Sequence, residues 1–531
     1  MRKHWAETIA LELISENSKN PIILQTGVGP SGTVHIGKLR DVLMTFFVKS
    51  WVEKYNKQAK IVFSWDDFDT LKKIPKSLSV VEKEILKEEI GKPYSLVRDT
   101  RTCHKSYAEH FEEIFQDELL SLGVKIDEFI YQSNEYSVNS YKDAIKLILD
   151  NRKAIFNIIQ TYKTHKAADE ESNNYYPITI YCEVCNKQTT KISNFNNKDY
   201  SIEYYCECGN SSEIFVDTTD KIKIPFNVEW PMRWKHEGVM FEPIGKDHAS
   251  PLGVYNVSSD ISKKIFNYNP PKYKVYEFLG IKGVKGKMSV SNGRSITLSE
   301  LLKVYPKEII LWQYYSKDPS KYMELDFYSE VPQVYNDFFK LLRGSKINQN
   351  LTLRTSYFSE FKELFVRREF NDEINFNILV LIISVCEEGD LQKLAEICNL
   401  MDLKIDMSFL NDLLKKVAFW ITNYSPETRI IFFSNCNSRF INGLSEVHKE
   451  WLQKLYLLLK NSTDNYNVMI QNIYNVTYNE GNTLSKKSFY KFLYNVLINR
   501  DSGPPIELLL RLKREEIIQA LEPYVAKEIS V

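Results

Sequence analysis

The sequence has no net charge. Its 69 lysines and arginines are balanced by 69 aspartates and glutamates, which excludes a global attraction to nucleic acid or to an anionic membrane and leaves only local patches. No apolar run approaches the roughly 20 residues needed to cross a bilayer, so no membrane-spanning segment is expected. The first stretch, MRKHWAETIALELISENSKN, has a helical pattern broken by Glu7, Glu12 and Glu16. Acids at those places do not suit the apolar core of a secretory signal, and a cytoplasmic protein is expected. Cysteine is sparse, with eight in 531 residues. That is too few for a disulfide scaffold, and four of them are paired at metal-ligand spacing, which fits a reducing compartment. Proline and glycine become sparse at one end. After Pro332 the remaining 199 residues contain four prolines (426, 504, 505 and 523) and five glycines. Runs such as SFLNDLLKKVAFWITNY, at helical period, predict an all-helical domain there.

What is present at the other end is an alternation of strand and helix signals. PIILQTG predicts a strand, residues from about His35 to Tyr55 a helix, and AKIVFSWDD a second strand. That order predicts a parallel α/β sheet with right-handed crossovers. It puts Gly27–Gly37 and Asp66–Asp69 at the carboxyl ends of adjacent strands, the rim where doubly wound folds bind ligands. The turn itself reads TGVGPSGTVHIGK. A strand that empties into a glycine-rich turn and then a helix is suited to phosphate, though four glycines alone are weak evidence.

Between about residues 175 and 225 the chain changes to short β-prone pieces that carry Cys182-x2-Cys185 and, 20 residues later, Cys206-x-Cys208-Gly209. Two such turns can present four thiolates to zinc tetrahedrally, and Gly209 lets the second turn bend back. A second candidate set is Asp99, Cys103, His104 and His110 in RDTRTCHKSYAEHF. In one continuous helix Asp99 and His110 would lie about 16 Å apart along the axis, so the four converge only if residues 99–104 form a loop and His110 sits in the helix that follows.

Far downstream lies FLGIKGVKGKMSVSNGRSITLSELL, residues 278–302. From Lys263 to Arg294 there are eight basic residues and one acid, Glu277. A positive, glycine-hinged loop ahead of a helix suits charge that develops on polyphosphate in a transition state. HIG after GPSGTV, paired with KMSVS some 250 residues later, resembles the two signatures of class I aminoacyl-tRNA synthetases. With FSWDDFD, VEWPMRW, FEPIGKDH and YEFLGIKGVKGKMSVS, the stretch from residue 21 to 295 looks like the class I type of lysyl-tRNA synthetase.

The resemblance implies a Rossmann-type doubly wound α/β domain with a zinc-binding insertion and an all-α C-terminal domain. Residues 1–95 would be the first catalytic half and 96–225 the insertion with both zinc clusters. Residues 226–332 would be the second half with the KMSVS loop and a stem-contact region, and 333–531 the anticodon-binding domain. It implies a monomer that joins L-lysine to tRNA(Lys) with ATP and Mg2+, by way of lysyl-adenylate. His35 would donate a hydrogen bond to the α/β phosphates, Lys287 would hold the leaving pyrophosphate, and Ser289 and Ser291 would fix the loop. Gly29, Pro30, Ser31, Gly32, Gly37 and Lys38 would contact ATP. The amino-acid pocket would use Gly27, Gly29, Phe226, His248 and Tyr276, with a carboxylate for the ε-ammonium. Asp66, Asp67, Asp69 and Asp247 are the candidates for that carboxylate, Asp67 the one adopted. Three positions depart from the pattern. Gly29 stands where the family often has threonine, Phe226 where tryptophan is usual, and Val290 where the wider class has a second lysine. The competing readings are a class I synthetase for glutamate or arginine, and a zinc-containing RNA-binding protein on a synthetase-like core.

Overall fold

The computed structural model describes residues 3–16, 20–76, 78–164, 169–282, 296–343, 374–433, 435–461, 468, 471–472 and 486–525. Lys287, Ser289, Val290 and Ser291 lie outside them. The chain divides into two compact units, residues 1–302 with 310–325, and residues 303–309 with 326–531.

The first unit is built on five parallel strands. Helix α1 (Trp5–Glu16) precedes β1 (Ile22–Val28), α2 (Leu39–Lys54) and β2 (Ala59–Trp65). Then come α3 (Val80–Glu89), α4 (Tyr107–Leu122), β3 (Glu128–Tyr131) and α5 (Gln132–Ser137). After the insertion, α8 (Phe226–Glu237), β9 (Phe241–Gly245), α9 (Val254–Lys264) and β10 (Lys272–Tyr276) complete the sheet. The strand order is β10-β9-β1-β2-β3, all parallel, so the sheet is doubly wound about β1. Strands β1 and β2 pair from Ile22 with Ala59 to Val28 with Trp65. Both end at the same rim, as the sequence predicts. Central strands are covered on both faces, which is why β1 and β2 are near-continuous apolar runs.

One boundary differs from expectation. Helix α2 begins at Leu39, not at His35. His35 forms a backbone bridge with Thr297, and the N–H of Ile36 donates to the Ile296 carbonyl at 2.9 Å. Those pairings hold the chain extended, so the helix starts only after the turn closed by the Lys38 N–H on the His35 carbonyl at 2.9 Å. From Leu39 to Thr45 every residue is buried.

The insertion contains α6 (Lys142–Asp150), α7 (Arg152–Thr161), β4 (Thr179–Ile180), the antiparallel sheet β5 (Thr190–Asn196), β6 (Ser201–Cys206) and β7 (Ser211–Phe215), and β8 (Ile222–Lys223), which pairs with β4. Strands β11 (Leu279–Ile281) and β12 (Met323–Leu325) pair in parallel. Taken by itself, the second unit is helical, with helices such as Val331–Leu342, Phe376–Val385, Met407–Tyr424, Glu446–Asn461 and Ile506–Val525. Asn375, Asp390 and Asp406 each accept a backbone N–H in the first turn of the helix they precede, the stop-and-start signals expected of polar N-caps. Among the described residues no helix is long and apolar enough to cross a membrane.

Candidate active site

The rim turn that follows β1 is shaped by close approach. A Cβ on Gly27 would lie 2.5 Å from the Ser64 carbonyl oxygen of β2, a separation no side chain survives. At Gly29 the nearest atom would be 3.7 Å away, so a side chain fits there and the departure from threonine leaves open space. Pro30 and Gly32 are buried and Ser31 is exposed. Gly32 has φ 150°, a conformation that favours glycine. The Tyr107 hydroxyl of α4 donates to the Ser31 carbonyl at 3.2 Å and fixes the turn.

His35 is half-buried at the end of this turn. Its Nδ1 accepts the Gly37 N–H at 3.1 Å, which in the neutral ring leaves the proton on Nε2. That is the tautomer able to donate. Residues that flank the second signature on either side meet the first one here. His35 and Ile36 pair with Thr297 and Ile296. Arg40 donates to the carbonyls of Glu277 (2.6 Å), Phe278 (3.3 Å) and Lys321 (3.2 Å). The chain on either side of residues 283–295 is thus pinned to the residues around HIG. The Tyr314 hydroxyl adds a 2.9 Å bond to the Ile36 carbonyl. Arg40 escapes sequence reading because its partners are main-chain carbonyls.

The predicted lysine-site residues divide. Phe226 opens α8, stacks on Trp230 at 5.0 Å and lies 6.3 Å from the His248 ring. The turn after His248 needs Gly253, since a Cβ there would sit 2.2 Å from the His248 carbonyl oxygen. The Tyr276 hydroxyl donates to Asp41 Oδ2 at 2.9 Å. Burial pushes the Asp41 carboxyl up to about 6, against the pull of Lys38 and Tyr276. Asp67 is buried and engaged elsewhere. Its Oδ1 accepts the Ser133 N–H at 2.8 Å and its Oδ2 the Ser133 hydroxyl, so it caps α5. Burial pushes it up to about 6 despite those donors.

The neighbouring carboxylates belong to a buried network that sequence reading did not find. Lys223 Nζ lies 2.6 Å from both oxygens of Glu229 and 3.1 Å from Asp69. Arg233 donates to Asp66 at 2.7 Å, and the Tyr136 hydroxyl donates to Glu229 at 2.6 Å. Trp230 and Trp234 both donate to Glu242, at 2.9 and 2.7 Å.

Glu112 of α4 is also buried, and its Oε1 has no hydrogen-bond partner among the described residues. Burial, with Asp67 nearby, pushes this carboxyl up to about 8. The folded state therefore holds the proton more tightly than the unfolded chain does. That contribution to stability is complete below the unfolded value and is lost as pH rises through about 8. Glu112→Gln removes it. The variant is expected to match the unaltered protein in thermal melts near pH 5 and to melt higher near pH 9; equal melting at both would exclude a buried, strained carboxyl.

Both candidate metal sets converge. The Cys182–Cys208 and Cys185–Cys206 sulfurs are each 3.7 Å apart, against about 3.8 Å for four thiolates at tetrahedral zinc. Gly209, at φ 92°, closes the one-residue-spaced turn, whose N–H donates to the Cys206 carbonyl at 3.0 Å. In the second set, residues 99–104 form a loop and His110 lies in α4. Cys103 Sγ is 3.3 Å from Asp99 Oδ2, 3.0 Å from His104 Nδ1 and 3.1 Å from His110 Nδ1. Glu113 sits 3.0 Å from His104 Nε2, the outer carboxylate that orients a ligating imidazole. Both donor sets suit a closed, four-coordinate zinc.

Comparison with known proteins agrees with this architecture. The profile of the family described as tRNA synthetases class I (K) matches residues 3–359. A lysine–tRNA ligase of Borreliella burgdorferi is 32% identical over 96% of this chain and 96% of its own. That of Thermococcus kodakarensis is 30% identical over 98% and 99%. That of Treponema pallidum is 33% identical over 64% and 63%.

Proposed function

The chain belongs to the family of class I (K) tRNA synthetases, and from that premise we infer that it is a lysine–tRNA ligase that activates L-lysine with ATP and charges tRNA(Lys). In the first step the lysine carboxylate attacks the α-phosphorus and the bond to pyrophosphate breaks. In the second, the terminal ribose hydroxyl of the tRNA attacks the mixed anhydride and AMP leaves. The protein's task is positioning and charge stabilisation.

The observation that supports the reading is the junction of the first signature with the flanks of the second, where His35 meets Thr297 and Arg40 holds residues 277 and 278. His35 Nε2–H would donate to the α/β phosphates. The backbone of Gly29, Pro30, Ser31, Gly32 and Gly37, with Lys38, would receive ATP and its Mg2+. Lys287 would take the pyrophosphate, with Ser289 and Ser291 beside it. Gly27, Phe226, His248 and Tyr276 would form the lysine pocket. Asp67, whose carboxylate accepts from Ser133, would supply the negative charge for the ε-ammonium. The helical residues 333–531 would read the anticodon, and the enzyme would act as a cytoplasmic monomer.

The test is ATP–pyrophosphate exchange with each amino acid, with and without tRNA(Lys). Lysine-dependent exchange is expected; exchange with glutamate or arginine and none with lysine would overturn the assignment.

We further propose that Cys182, Cys185, Cys206 and Cys208 hold one structural zinc and Asp99, Cys103, His104 and His110 a second. Structural zinc is folding energy. Metal analysis is expected to find two zinc per chain, and stripping them with a strong chelator to lower the melting temperature before any assay of activity. Retention of full thermal stability by metal-free protein would exclude the structural role.

A further inference from the structure

Beside the rim turn lies a cleft of 560 Å³, walled by Ser31, Thr70, Lys72, Lys73, Tyr94 and Phe226 among others. Its outer wall comes from the segment TLKKIPK, residues 70–76, which carries three lysines and no acid, with Lys72 and Lys73 in the lining and Lys76 next to it in sequence. Lys72, Lys73 and Lys76 are exposed, and no described acidic group pairs with any of them. The contrast with Lys223, which lines the same cleft, is informative. Its ammonium is neutralised by Glu229 and Asp69, so the uncompensated charge comes from the outer wall alone. In a chain with no net charge such a concentration of unpaired cations is local and directional.

The segment is also braced. Leu71 and Leu78 are buried with Leu86, Val97, Tyr107 and Phe111, and Pro75 is buried between them. The Thr70 hydroxyl bonds Gln188 Oε1 and the Tyr181 hydroxyl, each at 2.8 Å, tying the base of the wall to the insertion. The apolar residues are turned in and the lysines are left outside. Tyr94, stacked on Tyr107 at 6.2 Å, adds an aromatic residue to the lining. Unpaired cations along a groove, with an aromatic beside them, suit a single nucleic-acid strand.

We propose that Lys72, Lys73 and Lys76 bind the phosphodiester backbone of the 3′-terminal single strand of tRNA and lead it past Ser31 to the adenylate. This rests on the ligase reading, because that reaction brings a tRNA end to this rim. The triphosphate of ATP is the rival ligand of the same chemistry, and the test separates them.

The triple variant Lys72→Gln, Lys73→Gln, Lys76→Gln keeps side-chain length and should keep the melting temperature. Binding of tRNA(Lys), intact or trimmed of its terminal single strand, is measured across a salt series. Each single-strand phosphate contact contributes ~0.7 to the slope of log K against log salt. The slope for intact tRNA is expected to fall by about 2 in the variant, and the variant should bind intact and trimmed tRNA alike, while the unaltered protein distinguishes them. The ATP KM in lysine-dependent exchange at saturating tRNA is expected to stay constant. An unchanged slope, or a variant that still distinguishes the two tRNAs, would overturn the proposal; so would a raised ATP KM with tRNA binding intact, which assigns the lysines to ATP. Failure of the unaltered protein to bind tRNA(Lys) or to activate lysine would instead remove the ligase reading itself.

Discussion

His35→Ala is expected to lower lysine-dependent ATP–pyrophosphate exchange by about 10²- to 10³-fold, the loss seen when one preorganised donor to a developing oxyanion is removed. The expectation follows from the ring's hydrogen bonding. With Nδ1 accepting from Gly37, the remaining proton is on Nε2 in the neutral form, and it needs no rearrangement when charge builds on the phosphate. Folding should be little affected, because the bridge to Thr297 and the Ile36–Ile296 bond are made by main chain and survive truncation of the side chain. The informative pair of measurements is therefore exchange rate and melting temperature on the same preparation. A variant that melts normally and exchanges within about three-fold of the unaltered enzyme, a difference below 1 kcal/mol, would show that His35 does not touch the reacting phosphates. A variant that fails to fold would place the ring in the scaffold.

Lys223→Met is expected to produce the largest loss of stability, about 3–5 kcal/mol. Lys223 and Glu229 are both buried, and without Lys223 the Glu229 carboxyl is left with the Tyr136 hydroxyl at 2.6 Å and Arg233 at 3.9 Å. Removing both charges is a different matter. Replacing a buried pair with apolar groups of similar volume is often neutral, so Lys223→Met with Glu229→Met should recover most of the loss. Urea unfolding of the singles and the double reads this as a coupling energy between neighbours. Single variants that cost less than about 1 kcal/mol, or a double no better than the sum of the singles, would mean the pair is solvated and structurally idle.

The elements legible in the sequence were those whose cause is local. The apolar runs of β1 and β2, the glycine turn between β1 and α2, and both metal sets were readable, because run length, turn chemistry and ligand spacing are properties of short stretches. The second metal set shows how far this goes. Spacing alone stated the condition, a loop at 99–104 ahead of a helix bearing His110, and the structure has that loop. What was missed depends on partners distant in sequence. The start of α2 was placed four residues early because the competing backbone pairing comes from Thr297. Arg40 binds carbonyls of residues 277, 278 and 321. The contacts of Asp67 with Ser133 of α5, and of Asp66 and Asp69 with Arg233 and Lys223, likewise join residues far apart in sequence. A short acidic run at a strand end shows that charge will be needed there; only the tertiary structure shows which internal cations and helix ends absorb it.

The bridge between His35 and Thr297 joins residues 262 positions apart (297 − 35), and the β11–β12 pairing beside it requires the chain as far as Leu325. Closing so long a loop must wait until its far end exists and is opposed by chain entropy until then. Both metal sets, by contrast, are complete by Cys208. During synthesis the order is thereby imposed by the chain itself: metal can be captured while the catalytic rim is still one-sided, and no nascent chain shorter than 325 residues contains the full junction. An amino-terminal fragment released early would carry both candidate metal sets without the junction on which the proposed activation of lysine depends.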